Sequence, residues 1–257
     1  MCLILLAHEY SAQYKFILLS NRDEYHQRPT KQAGFWPANS PIFGGIDEFA
    51  GGSWLSVDNT GRLAAITNVR KPPFNDTNKK SRGLIVKDFL SCQLSSREFI
   101  SNLKTRDANI GLFNLLLRDK NELIYYTNDT QRISSIEPGI HGISNASLDT
   151  AWPKLTRGCE LFKSTLNRAT VGNSDYLKIL QSQQRPVDKH LPQTGISLEF
   201  ERLLSSIFIQ SDDYGTRCST IITIDYDNLL NFTEVSYDSS GQITGKVNQA
   251  ILLGNSR

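Results

Sequence analysis

Two apolar runs open the chain. Cys2 to His8 and Phe16 to Asn21 show almost no polar alternation, which predicts a pair of strands buried on both faces, joined by a hairpin-like connection over Glu9–Lys15. A second strand pair is predicted at Gly51–Val57 and Arg62–Asn68, because Asp58–Gly61 between them supplies turn residues that tolerate left-handed backbone. Apolar residues then recur at helical spacing. Ser81 is placed to cap a helix carrying Leu84, Ile85 and Phe89, and Ser96 a second one carrying Phe99, Ile100 and Leu103.

Strands return at Phe113–Arg118 and Glu122–Thr127 over the turn Asp119–Asn121, with shorter ones near Gln131–Ile136 and Gly142–Asn145. Pro153 suits a first helical turn and leads Leu155, Cys159, Phe162 and Leu166 at helical spacing, with another helix near Asp175–Leu180. The polar segment Gln181–Gly195, with Pro186 and Pro192, is predicted as a loop before a helix over Leu198–Phe208. Closing strands are expected at Ser219–Asp225, Asn231–Tyr237 and Gln242–Val247. This order lacks regular βαβ alternation, so it predicts an α+β fold of two antiparallel sheets covered on their outer faces by helices. At 257 residues with no repeat or linker, one domain over 1–257 is expected.

Composition mainly excludes. A 39% apolar and 21% charged chain is not disordered, and 28 basic against 26 acidic residues give a net charge of +2, too small to point to nucleic acid or an anionic membrane. The opening apolar run is too short to span a bilayer and lacks the basic region and cleavage site of a signal peptide. No integral membrane segment is expected, and the location predicted is the cytoplasm, or an organelle surface if the chain is eukaryotic. Cys2, Cys92, Cys159 and Cys218 are spaced too widely for a zinc site or a disulfide framework and are expected as thiols.

Position 2 carries the sharpest chemical signal. Removal of Met1 would place a thiol and a free α-amine on Cys2, and an amine titrating at about 7.7–8.0 can take the thiol proton and return it to a leaving group. Alone, a cysteine there reads more readily as a small apolar residue opening a buried strand. Asn21-Arg22-Asp23-Glu24 follows the second strand directly, so Arg22 or Asp23 can approach Cys2 across the hairpin. A guanidinium there favours thiolate, and a carboxylate orients the ammonium or guanidinium.

That tetrapeptide, with Met1-Cys2, Gly51–Leu55, Gly61–Asn68, His141–Asn145, Ala151–Lys154, Tyr214–Arg217 and Ser219-Thr220, resembles the NRDE family, also called the transport and Golgi organisation 2 family, over nearly the whole chain. The family is similar to N-terminal-nucleophile hydrolases, which implies a four-layer αββα sandwich. Matched to the cysteine branch of that superfamily, the site pattern implies Cys2, Arg22, Asp23, Asn68, Asn145 and Arg217 as catalytic residues, with Asn68 or Asn145 offering an N–H to an oxyanion. Asn21, Trp36 and Trp54 are candidate ligand-binding residues near it. Ser56, where the family usually has glycine, and Cys218, where it has serine, depart from the pattern.

Two functions follow. The resemblance implies intracellular haem or lipid and acyl-CoA trafficking, with a small molecule carried in a hydrolase-like cleft. The cluster around Cys2 implies a cysteine amidohydrolase acting on linear amides, for which no cofactor is required. Haem would be a carried ligand, and His8, His26, His141 and His190 form no motif that would name its axial ligands.

Overall fold

The computed structural model describes residues 2–37, 40–72, 79–106 and 109–254. Met1, and with it the question of its removal, lies outside the described residues, as does 73–78 of the polar loop. The strands are β1 (Cys2–His8), β2 (Tyr14–Tyr25), β3 (Thr30–Phe35), β4 (Phe43–Asp47), β5 (Leu55–Val57), β6 (Leu63–Asn68), β7 (Phe113–Arg118), β8 (Leu123–Thr127), β9 (Arg132–Ser135), β10 (Gly139–Ile143), β11 (Tyr214–Asp225), β12 (Leu229–Tyr237) and β13 (Ile243–Leu252). The helices are α1 (Gly83–Ser91), α2 (Ser96–Arg106), α3 (Pro153–Leu166), α4 (Asn173–Leu180) and α5 (Leu198–Leu203).

These strands form two antiparallel sheets, a six-stranded one in the order β10-β1-β2-β11-β12-β13 and a seven-stranded one in the order β3 to β9. The sheets face each other across a core that includes Ile4, Leu6, Phe16, Leu18, Leu116 and Ile222. The outer face of the seven-stranded sheet packs on α1 and α2 through Val86, Phe89 and Ile100. The outer face of the six-stranded sheet packs on α3 and α4 through Leu155, Phe162 and Ile179. The result is the αββα sandwich that the resemblance implied, and the continuous apolar runs are explained by it. Alternate residues of β1 enter different cores, Ile4 and Leu6 between the sheets, Leu3 and Leu5 beneath the helices.

Several boundaries differ from those expected, each for a local reason. The NRDE tetrapeptide does not end β2 but continues it, because β11 pairs with β2 as far as Tyr25. β3 and β4, absent from the sequence expectation, form through backbone pairing in segments with Gly34, Gly44 and Gly45 and little alternation. Ser81 is not the cap of α1; Arg82 occupies that position with helical backbone and no side-chain cap. Ser95, rather than Ser96, caps α2: its amide and hydroxyl both donate to Glu98 Oε2, at 2.9 and 2.7 Å, and its Oγ accepts from the Glu98 amide. α5 stops at Leu203, short of Phe208, and no helix among the described residues is long and apolar enough to cross a membrane.

Candidate active-site cleft at Cys2

The β1–β2 register pairs Cys2 with Arg22, and β11 places Cys218 opposite Arg22 on the other side. The three side chains therefore form one row across the sheet, on the face toward the opposing sheet. Arg22 is 4% exposed and its guanidinium lies 4.4 Å from the ring centroid of Trp54, which comes from the loop before β5. Trp54 is held in turn by Gly45: a Cβ there would stand 2.1 Å from the indole. A Gly45→Ala change is therefore expected to push the rigid indole aside and release Arg22, at about 1–3 kcal/mol of stability. A blue or red shift of tryptophan emission with that loss checks it; unchanged emission and stability would sink it.

Asp23, next along β2, projects to the opposite, helix-covered face. Its Oδ1 accepts from Thr216 Oγ1 at 2.7 Å, and its backbone carbonyl accepts from the Tyr214 hydroxyl at 2.9 Å. Burial raises the Asp23 carboxyl above the usual range against the pull of Lys154 and other cations. Burial also raises the Cys2 thiol, so the resting sulfur is held as thiol.

Cys2, Arg22, Asp23, Trp54 and Asn68 line a single cleft of about 330 Å³. Its wall adds Arg28, Lys79, Lys80 and Arg82, against the carboxylates Glu24 and Asp47. Arg28 bridges these two, at 2.7 Å to Asp47 and 3.9 Å to Glu24. The cleft is thus cationic at its wall and carries a thiol with Trp54 and Ile66 lower down.

The other expected residues are placed differently. Asn145 is fully buried beside the cleft, where its amide donates to the Asn68 carbonyl at 3.0 Å and its own carbonyl accepts from the Arg70 amide at 2.7 Å. It fixes the strand end that presents Asn68. Arg217 is the extra residue of the β-bulge between Thr216 and Cys218, and its Nη1 donates to the carbonyls of Tyr25, His26 and Arg28. It lines a second cavity of about 330 Å³ with Cys218, Glu234 and Trp54, which lines both spaces.

Two candidate ligand-binding residues do not line the cleft. Asn21 faces the helices, opposite in sense to Arg22, and donates to the carbonyls of Leu180 and Ile207 at 2.8 and 2.9 Å while accepting from Ser219 Oγ. Trp36 lies in the core beneath α1 and α2, its Nε1 donating to the Gly44 carbonyl. Of the two departures from the family pattern, Ser56 is buried against Ser53, and Cys218 is buried beside Glu234, with its thiol pushed well up by burial and that carboxyl.

Sequence reasoning missed Lys154. It is 5% exposed at the second position of α3, and burial brings its ammonium down to about 8 against the pull of Asp23. The signal was its place on the buried stripe that continues through Gly158, Phe162 and Thr165. Among the described residues no cluster of His, Cys, Asp and Glu could hold a metal ion.

Comparison with known proteins agrees with this architecture. The chain is 11% identical to a *Caenorhabditis elegans* N-acylethanolamine-hydrolyzing acid amidase ortholog, with a TM-score of 0.53 over 86% of this chain and 92% of that one. It is also 11% identical to a C2A mutant of conjugated bile acid hydrolase from *Clostridium perfringens*, with a TM-score of 0.54 over 100% and 95%. Both likenesses are of fold. In sequence, the chain is 34% identical over 240 residues to the *Bos taurus* Transport and Golgi organization protein 2 homolog and 33% identical to the *Homo sapiens* homolog, covering 87% of each chain in both cases. The family model described as Transport and Golgi organisation 2 matches residues 1–239, and the chain belongs to that family.

Proposed function

We propose that this chain binds an anionic small molecule of the haem or acyl-lipid class in the Cys2 cleft and takes part in its intracellular trafficking. The observation that carries this reading is the pairing of a protonated, buried thiol at Cys2 with a wall containing Arg22, Arg28, Lys79, Lys80 and Arg82. A cationic wall suits propionate or phosphate groups, and a resting thiol suits binding without turnover. For haem, carried as cargo, Cys2 is the side chain of axial-ligand type among the described residues lining the cleft. None of His8, His26, His141 and His190 lines it.

A second reading is cysteine amidohydrolysis, favoured by the cross-strand pairing of Cys2 with Arg22 and by Asn68 on the same cleft. Cys2 Sγ would attack a linear amide carbonyl, the C–N bond would break as the amine leaves with a proton, and water would hydrolyse the thioester. Its α-amine base requires loss of Met1.

Titration of the full chain with haem, followed at the Soret band, and with a long-chain acyl-CoA, followed by tryptophan emission, separates the readings. Carriage predicts saturable binding of one of them without product, weakened about tenfold or more, some 1.4 kcal/mol, by Arg22→Ala. No saturable change with either would overturn it. Turnover of an amide library that disappears in Cys2→Ser would establish the hydrolase instead.

A further inference from the structure

The loop of residues 144–152, between β10 and α3, ties one sheet to the other. The Ser144 carbonyl accepts from Thr67 Oγ1 of β6 at 2.7 Å, and the Ala146 carbonyl accepts from Asn114 Nδ2 of β7 at 2.8 Å. Between them Asn145 joins the Asn68 carbonyl to the Arg70 amide. The support of Asn68 at the cleft is thus delivered by a loop rooted in β10, an edge strand of the six-stranded sheet.

Two side chains close the base of that loop. His141 Nδ1 donates to Asp149 Oδ2 at 2.8 Å, and the other Asp149 oxygen accepts from the Gly142 amide at 2.8 Å. The Asp149 amide donates back to the Gly142 carbonyl at 2.8 Å. Asp149 has φ 56°, a left-handed backbone that its contacts hold in place. On the far side of the ring, His141 Nε2 donates to the Glu137 carbonyl at 3.0 Å. A carbonyl only accepts, and so does an ionised carboxylate, so this geometry calls for hydrogen on both ring nitrogens. A neutral imidazole has one N–H and serves one of the two acceptors, whereas the imidazolium serves both.

β10 packs on β1 and α3, and each brings titratable groups near the pair. Burial lowers the imidazole of His8 on β1, Glu9 and Arg118 act on it in opposite senses, and the His141 charge lowers it further. On α3, the Cys159 thiol is pushed up to about 11 by burial, Asp149 and Glu160. Asp149 raises the His141 imidazole above its ordinary range, helped by Glu137 and opposed by burial.

We propose that His141 and Asp149 form a pH-sensitive latch on the Cys2 cleft: the imidazolium, bridging Asp149 and the Glu137 carbonyl, keeps the loop closed so that Asn145 holds Asn68 in the cleft wall. Loss of the ring proton removes one of the two bonds and loosens the loop. The ring is 19% exposed, so that proton passes to solvent. Because the imidazole is raised in the fold, the latch contributes in full below its unfolded value of about 6.5 and is lost as pH rises through the folded value above it. Its bearing on ligand affinity rests on the Cys2 cleft being the functional site.

The test uses the full chain without ligand, which keeps its failure apart from failure of the proposed function. NMR follows the His141 ring and the exchange of the Arg70 and Asp149 amides from about pH 5 to pH 9, with exchange expressed as protection so that base catalysis cancels. In the wild type, protection of both amides is expected to fall about threefold or more as pH rises through the His141 titration. Asp149→Asn keeps the shape and removes the charge, so its His141 ring should titrate at lower pH and its loss of protection should move down with it. His141→Gln should show the lower protection at every pH, without a step. Wild-type protection that stays flat through the ring titration overturns the latch, and so does an Asp149→Asn ring that titrates where the wild-type ring does. The wild-type curve decides by itself if a variant fails to fold.

Discussion

Glu201→Ala is expected to lower the stability of the protein by about 3–5 kcal/mol, the range for removing one partner of a buried ion pair. Glu201 is 4% exposed, and its Oε2 accepts from Arg70 at 2.9 Å. Its Oε1 accepts from both the amide and the hydroxyl of Thr194, at 3.0 and 2.6 Å, which ties the loop before α5 to the body of the fold. Without the carboxylate, the Arg70 guanidinium, stacked 4.9 Å from the Trp152 ring, remains buried near the Lys154 ammonium with no compensating charge. Urea unfolding checks the value. An Arg70→Met/Glu201→Leu double variant should recover most of the loss, because replacing both charges by apolar groups removes the desolvation cost along with the attraction. A single-variant loss under about 1 kcal/mol would show that water reaches the pair.

Asn21→Ala is expected to cost about 3 kcal/mol or more, since it strips a fully buried side chain of three hydrogen bonds and each buried group left unmade costs about 1–3 kcal/mol. The carbonyls of Leu180 and Ile207 lose their donor, and the Ser219 hydroxyl, which also accepts from Tyr237 at 3.1 Å, loses its acceptor. Asn21 therefore fastens the end of α4 and the segment after α5 to the sheet. Thermal unfolding reads the loss, and ligand affinity of the folded fraction should be unchanged. A variant of wild-type stability with weakened binding would return Asn21 to the cleft.

The Asn21 change, set beside Arg22→Ala, separates structural from ligand-facing roles inside one motif. Asn21, Arg22 and Asp23 are consecutive, but the period of two in a strand sends Arg22 toward Cys2 and Trp54 and the other two beneath the helices. Asn21 is then a fastener, and Asp23 is a buried carboxyl bonded to Thr216. The motif presents side chains to both faces of the sheet because pairing with β11 keeps it within β2.

Much of this was legible in the sequence. The apolar runs of β1 and β2 determined a strand buried on both faces, because only a sheet with a core on each side accepts Leu3 and Ile4 together. The hairpin between them brought Arg22 or Asp23 within reach of Cys2, with the choice of Arg22 made by the register, and the periodicity from Leu155 to Phe162 determined α3. What tertiary structure alone decided is which neighbours those residues meet. Trp54 and Trp36 look alike in sequence, yet Gly45 allows Trp54 to lie against Arg22, while Trp36 fills the space beneath α1 and α2. Arg217 follows a motif that pointed to the cleft, but one extra residue on β11 turns it onto the carbonyls of Tyr25, His26 and Arg28. Lys154 carries no burial signal in its residue type, and its 5% exposure comes from the buried stripe of α3 on which it lies. Local pattern sets which face a side chain takes, and long-range packing sets what waits there.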